Sequence, residues 1–140
     1  MNDTAINKIQ SIQRCVQRAR EEYQADPEGF DANHTRQDAA ILNVLRACEQ
    51  AIDLANHCIR ARKLGIPKTT AESFELLTCK QVISGDLAER LIKMTGFRNI
   101  VIHQYQRMDM EITRAVINVG LGDLIEFGDR ILAFLAKPAS

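Results

Sequence analysis

Tryptophan is absent from this 140-residue chain, and five phenylalanines and two tyrosines are its whole aromatic complement. Its core therefore has to be aliphatic. Excess charge is missing too: eighteen Lys and Arg balance eighteen Asp and Glu. No global field draws such a protein towards nucleic acid or anionic lipid, and any RNA contact has to come from a local patch. No Cys-x-x-Cys pair and no His at zinc-site spacing accompanies the four cysteines, Cys15, Cys48, Cys58 and Cys79. They are expected to be small core hydrophobes without a disulfide or a metal. The opening segment to Gln10 carries Asp3 and no apolar run, so neither a secretory signal nor a membrane anchor is expected, and the cytoplasm is the expected compartment. Repeats, low-complexity tracts and linkers are also lacking, so a single domain over residues 1–140 is expected.

What is present is helical periodicity. Apolar residues make up 46% of the chain and recur three and four apart in every long segment, with no sustained alternation. This predicts an all-α fold, an antiparallel bundle of four to five helices. Ile6, Ile9, Ile12, Val16, Ala19 and Tyr23 form the first stripe, ended by Pro27 and Gly29. A second helix is expected from about Thr35, with Asp38 completing its capping box, to a stop at Gly65 and Pro67. It would bury Ile41, Val44, Leu45, Cys48, Ile52, Ala55 and Ile59 and turn Asn43, Arg46, Glu49, Gln50, Asp53 and His57 to solvent. Thr69 with Glu72 caps a short third helix, and Asp86 with Glu89 opens a fourth that runs to about Gln106. From Met110 to Ala136, the apolar spacing of Ile112, Val116, Val119, Leu124, Phe127, Ile131 and Leu135 is interrupted by Gly120 and Gly122, as in a kinked helix or two short ones.

The fourth helix carries the unusual chemistry. Its apolar row reads Leu87, Leu91, Met94, Arg98, Val101, Tyr105, which places a guanidinium where the packing face should be. A buried charge without a partner costs several kcal/mol, so Arg98 needs a carboxylate, a symmetry mate or a ligand anion. The neighbouring row is Ala88, Ile92, Gly96, Asn99 and His103, where Gly96 admits close approach of another backbone. On one helix Arg98 and His103 diverge by roughly 140°, and they converge best where two copies meet across a two-fold axis. The set suits phosphodiester cleavage. An imidazole can take a proton from a ribose 2′-hydroxyl or give one to the leaving 5′-oxygen, and a guanidinium can brace the charge on phosphorus. No metal or other cofactor is called for.

Each residue also has an ordinary reading. A lone His on a helix is usually a surface group, Arg98 can be half of a structural ion pair with Glu49 or Asp53, and Tyr105 can be a core edge with its hydroxyl in water. Arg98-Asn99-Ile100-Val101-Ile102-His103-Gln104-Tyr105, or R-x4-H-x-Y, resembles the signature of the HepT branch of the HEPN superfamily. The lead-in Leu87 to Asn99, the exit at Asp109, the stretch Arg46 to His57 and the turn Leu64 to Pro67 resemble that family as well, so the likeness covers about residues 36 to 127.

The resemblance implies a helical homodimer whose paired motifs line a cleft at the interface and cut RNA, mRNA or tRNA, without metal. It implies a type VII toxin-antitoxin pair, in which a cognate MntA-type minimal nucleotidyltransferase transfers AMP from ATP to the motif tyrosine. Here that acceptor is Tyr105, and the catalytic pair is Arg98 and His103. Asn99, stacked one turn from His103, and Glu49 and Asp53, which could orient Arg98, are supporting candidates. His57, Arg60, Arg62 and Lys63 are candidate RNA-phosphate contacts. Two other functions stay open: a non-catalytic subunit that holds substrate or nucleotide for a nucleotidyltransferase, and a purely structural four-helix dimer whose polar seam sets register.

Overall fold

The first apolar stripe folds as α1 (Asp3–Gln24) and buries Ala5, Ile9, Ile12, Val16 and Ala19. The structure, a computed structural model, describes residues 3–138; Met1, Asn2, Ala139 and Ser140, the ends of the expected 1–140 domain, lie outside them. Ile6, expected inward, is exposed. The buried set steps by four and three from Ala5, and Ile6 lies about 100° off that line. Tyr23 is half-buried, edge-on to Phe30 with ring centroids 5.1 Å apart.

The second helix, α2 (His34–Ala61), begins one residue before the expected Thr35. Asn33, in extended conformation, supplies the cap: its side-chain oxygen accepts the Arg36 N–H at 3.1 Å. Thr35 thus lies inside the first turn and Asp38 caps nothing. The expected apolar face is buried, with Leu45 at its half-buried edge. Asn43, expected in solvent, is buried as well, because its Nδ2 donates to the Ala39 carbonyl one turn back at 2.8 Å and so leaves no unsatisfied amide. The helix closes before Gly65. Lys63 adopts a left-handed φ of 54°, and the Leu64 N–H reaches back to the Ile59 carbonyl at 2.9 Å.

Helix α3 (Thr70–Cys79) is capped by Thr69, which accepts the Glu72 N–H as the sequence predicts, and it buries Phe74 and Leu77. Helix α4 (Gly85–Gln104) starts from Ser84, whose hydroxyl accepts the Leu87 N–H at 3.1 Å. Asp86, expected to open a capping box with Glu89, instead sits in the first turn, where a carboxylate complements the helix dipole. The α-helical geometry stops at Gln104, short of the expected Gln106, and tightens into a 3-10 turn over Tyr105–Arg107.

The glycine-interrupted segment is α5 (Met110–Ala115) and α6 (Leu121–Leu135), joined by a π-helical turn over Val116–Gly120. A wider turn rotates the residues upstream of it relative to a regular helix. Thr113 and Ile117 therefore face inward, while Ile112 and Val119, expected in the core, are 47% and 72% exposed. Gly120 meets the thioether of Met94 so closely that a Cβ there would lie 2.6 Å from its sulfur.

One cluster of buried residues joins the long helices, with Phe74 edge-on to Phe127 at 5.4 Å in its middle. Among the described residues there is no strand, and no helix is long and apolar enough to cross a membrane. All four cysteines are free thiols. Cys48 and Cys58 are in the core as expected, whereas Cys15 is half-buried at the edge of the core and Cys79 is exposed.

Burial pushes the Cys48 thiol from 9.0 up to about 12 and the Cys58 thiol up to about 11. Both groups stay protonated in the folded chain at pH values where they ionise in the unfolded one. Their contribution is complete below pH 9 and is lost as pH rises from there towards 12. Unfolding free energy measured in urea should fall over that window, at up to about 1.4 kcal/mol per pH unit for each thiol. Cys48→Ala should fall less steeply than the parent, and equal slopes would contradict the assignment.

Candidate functional site

Helix α4 divides into a packed half and a bare half. Leu87, Leu91, Met94 and Phe97 anchor it against the bundle; beyond them only Val101 is buried, while Asn99, Ile100, Ile102 and His103 are exposed. Ile102 is 60% exposed, a large apolar side chain next to the candidate imidazole.

Arg98 is half-buried on the side of α4 that faces α2 and α3. Together with Asn99, Thr95, Gly96, Ile52 and Thr70 it lines a depression of about 220 Å³. Its charge reaches the Cys48 thiol beneath, where it opposes the upward push of burial, and the Cys48 Sγ–H points to the Met94 carbonyl at 3.5 Å. The expected carboxylate partner is not engaged. Asp53 lies 3.9 Å from Lys8 on α1, and among the described residues neither Glu49 nor Asp53 forms an ion pair with Arg98. Glu49 and Asp53 project from the exposed face of α2, and Asp53 is drawn to the ammonium on its other flank. The guanidinium is left with its donors available to an anion.

Gly96 admits no backbone in the single chain, since a Cβ built there would meet nothing within 4 Å. The surface beside Arg98 is open there. Asn99 stands one turn before His103 on α4 but makes no hydrogen bond to it among the described residues; it lines the depression with Arg98.

His103 faces elsewhere. With Gln104, Tyr105, Gln106 and Arg107 it borders a depression of about 580 Å³ around the 3-10 turn. Within one chain Arg98 and His103 therefore open onto different surfaces, as their angular divergence on a regular helix requires.

Tyr105 begins the 3-10 turn and is 40% exposed. Its hydroxyl donates to Asp38 Oδ1 on α2, 67 residues away in sequence. Nothing local marks this pair: the spacing of Asp38 after Thr35 suggests a cap, and only the packing of the α4 end beside α2 brings the carboxylate to the phenol. A cavity of about 470 Å³ lies at this corner, between the start of α2 and the segment Tyr105 to Met110. Arg114 pairs with Asp31 at its edge.

The basic candidates at the end of α2 separate. Arg62 is committed to the fold: its Nη2 donates to the Leu135 and Lys137 carbonyls at 2.9 and 2.7 Å, and its guanidinium lies 5.2 Å from the Phe134 ring centre. It serves the last helix carbonyls, an attraction that charge spacing along α2 does not reveal. Partial burial, followed by the charges of Arg60 and Lys8, lowers the pKa of His57, so it is neutral at physiological pH and offers no cation to a phosphate. Arg60 and Lys63 remain exposed.

The chain matches the family model described as ribonuclease HepT-like over residues 6–131. It is 43% identical over 133 residues to the mRNA nuclease HepT of Shewanella oneidensis, covering 95% of this chain and 99% of that one. The structure is similar to that of a tri-AMPylated Shewanella oneidensis HEPN toxin in complex with an MNT antitoxin, with a TM-score of 0.88, 43% identity and coverage of 95% and 99% of the two chains. It is equally similar to a chain in a toxin-antitoxin crystal structure with AMP-PNP, with a TM-score of 0.88, 42% identity and coverage of 94% and 99%. YutE of Bacillus subtilis, a cytosolic protein of unknown function, shares the fold alone, with a TM-score of 0.69 at 18% identity over 89% of this chain and 87% of that one. A family match running from α1 into α6, together with a relative this similar along its whole length, makes one assignment: the chain belongs to the ribonuclease HepT-like family.

Proposed function

We propose that this chain is a cytoplasmic, metal-independent endoribonuclease toxin of a type VII toxin-antitoxin pair, acting as a homodimer of one domain per chain. Arg98 and His103 do the cutting, and transfer of AMP to Tyr105 by a cognate nucleotidyltransferase silences it. One observation carries the reading. In a member of the HepT-like family, a single helix end presents an unpaired guanidinium, an exposed imidazole and a reachable phenol as Arg98, His103 and Tyr105.

The chemistry follows from what each group can do. The His103 imidazole can accept the ribose 2′-proton or give one to the leaving 5′-oxygen. The 2′-oxygen attacks phosphorus, and Arg98 holds the non-bridging oxygens as negative charge grows there. Asn99 supports the phosphate from the same depression. Two copies are needed because Arg98 and His103 of one copy look away from each other. The bare apolar surface of Ile100 and Ile102 and the open flank at Gly96 supply material for that contact. Arg60 and Lys63 extend the positive surface for RNA. Phosphate on Tyr105, two positions past His103, brings negative charge into the groove that an RNA phosphate has to enter.

Unmodified protein incubated with RNA in EDTA should cut it. His103→Ala should lower the rate by about 10²–10⁴-fold and Arg98→Ala by about 10²–10³-fold. An intact parent that leaves RNA whole, yet binds nucleotide through Arg98, would favour the alternative of a non-catalytic nucleotide-holding subunit. Co-expression with the cognate nucleotidyltransferase should add AMP mass to the parent and none to Tyr105→Phe. Mass retained in that variant would place the modification on another residue.

A further inference from the structure

We infer that Asp38 is the proton acceptor for modification of Tyr105: its carboxylate holds the phenol as the attacking group and takes the phenolic proton when AMP is transferred. This rests on Tyr105 being the AMP acceptor, as proposed above, and adds a residue of the toxin itself to the transfer reaction.

The arrangement at the α2–α4 corner is what that step needs. Asp38 lies one turn into α2, and its Oδ1 accepts the Tyr105 hydroxyl directly. Asp38 forms no ion pair among the described residues, so no salt-bridged cation competes with the phenol for it. The nearby Asp31 differs, since Arg114 engages it. Asp38, His34 and Asp31 line the same 470 Å³ cavity as Tyr105, so the phenol borders open space rather than packed interior.

A phenol ordinarily ionises near pH 10, so at neutral pH the attacking oxygen carries its proton. In the transfer, the Tyr105 oxygen forms a bond to the α-phosphorus of ATP. The bond from that phosphorus to the oxygen bridging to the β-phosphate breaks, and pyrophosphate leaves with the electron pair. The phenolic proton passes to Asp38 Oδ1 and from there to water. A carboxylate already in hydrogen-bond contact accepts it as the new bond forms, a contribution of about 10²–10⁴-fold in comparable steps. Once AMP is attached, the hydroxyl that Asp38 held no longer exists, and carboxylate and phosphodiester repel. The modified side chain is thereby turned out of the α2 corner.

The test is the rate of AMP addition to full-length chain by the purified cognate nucleotidyltransferase with ATP and magnesium, read by intact mass from pH 6 to 9. Asp38→Asn keeps an oxygen that can accept the hydrogen bond but cannot take the proton. It should be modified about 100-fold more slowly than the parent at pH 7, with the gap narrowing as pH rises and the phenol ionises unaided. Asp38→Glu, which restores a carboxylate, should recover most of the rate, and similar thermal unfolding of all three chains shows that they are folded. An Asn variant as fast as the parent, or slowed by the same factor at every pH, overturns the inference, as does a Glu variant no faster than Asn. A parent that acquires no AMP overturns the earlier reading of Tyr105 instead.

Discussion

An α-helix turns about 100° and rises about 1.5 Å per residue, and from this constraint the proposed site takes its form. Five positions separate Arg98 from His103, so their side chains leave α4 on different sides and about 7.5 Å apart along its axis. In one chain they border two separate depressions, one against α2 and α3 and the other at the 3-10 turn. A phosphate gripped by both groups has to be approached from two helices. On the proposed reading, pairing of two chains is part of the chemistry.

The bundle is arranged to leave that approach open. The first half of α4 is held by Leu87, Leu91, Met94 and Phe97, with Gly120 of the π-helical turn drawn close beneath Met94. The second half projects Ile100, Ile102 and His103 into solvent. Most of the buried apolar side chains of α4 lie in one half and the candidate site residues in the other. Burial near α2 also explains why Arg98 is half-covered without a carboxylate beside it. Cys48 beneath it is neutral, held protonated by its own desolvation.

Much of this plan is legible in the amino-acid order. Spacing by three and four reveals the buried faces of α1 and α2, and the Thr69 cap is a local signal that the backbone obeys. Other local signals mislead because stronger ones lie beside them. Asn33 and Ser84 each stand two residues ahead of Thr35 and Asp86 and take the caps, and the π-helical turn rotates Ile112 and Val119 out of the core. The long-range partners have no sequence signature at all. Asp38 meets Tyr105 across 67 residues, and Arg62 closes on the Leu135 and Lys137 carbonyls more than 70 residues ahead. The motif marks the candidate residues, and tertiary packing decides which surfaces they face.

The proposed dependence of the site on two copies can be measured by mixing two inactive chains. Arg98→Ala and His103→Ala protomers, unfolded together and refolded as a mixture, form mixed dimers in which one interface still joins an intact arginine to an intact histidine. Their RNA cleavage should rise to roughly a quarter of the parent rate if pairing is random. A mixture no more active than either variant alone would contradict a site assembled between chains.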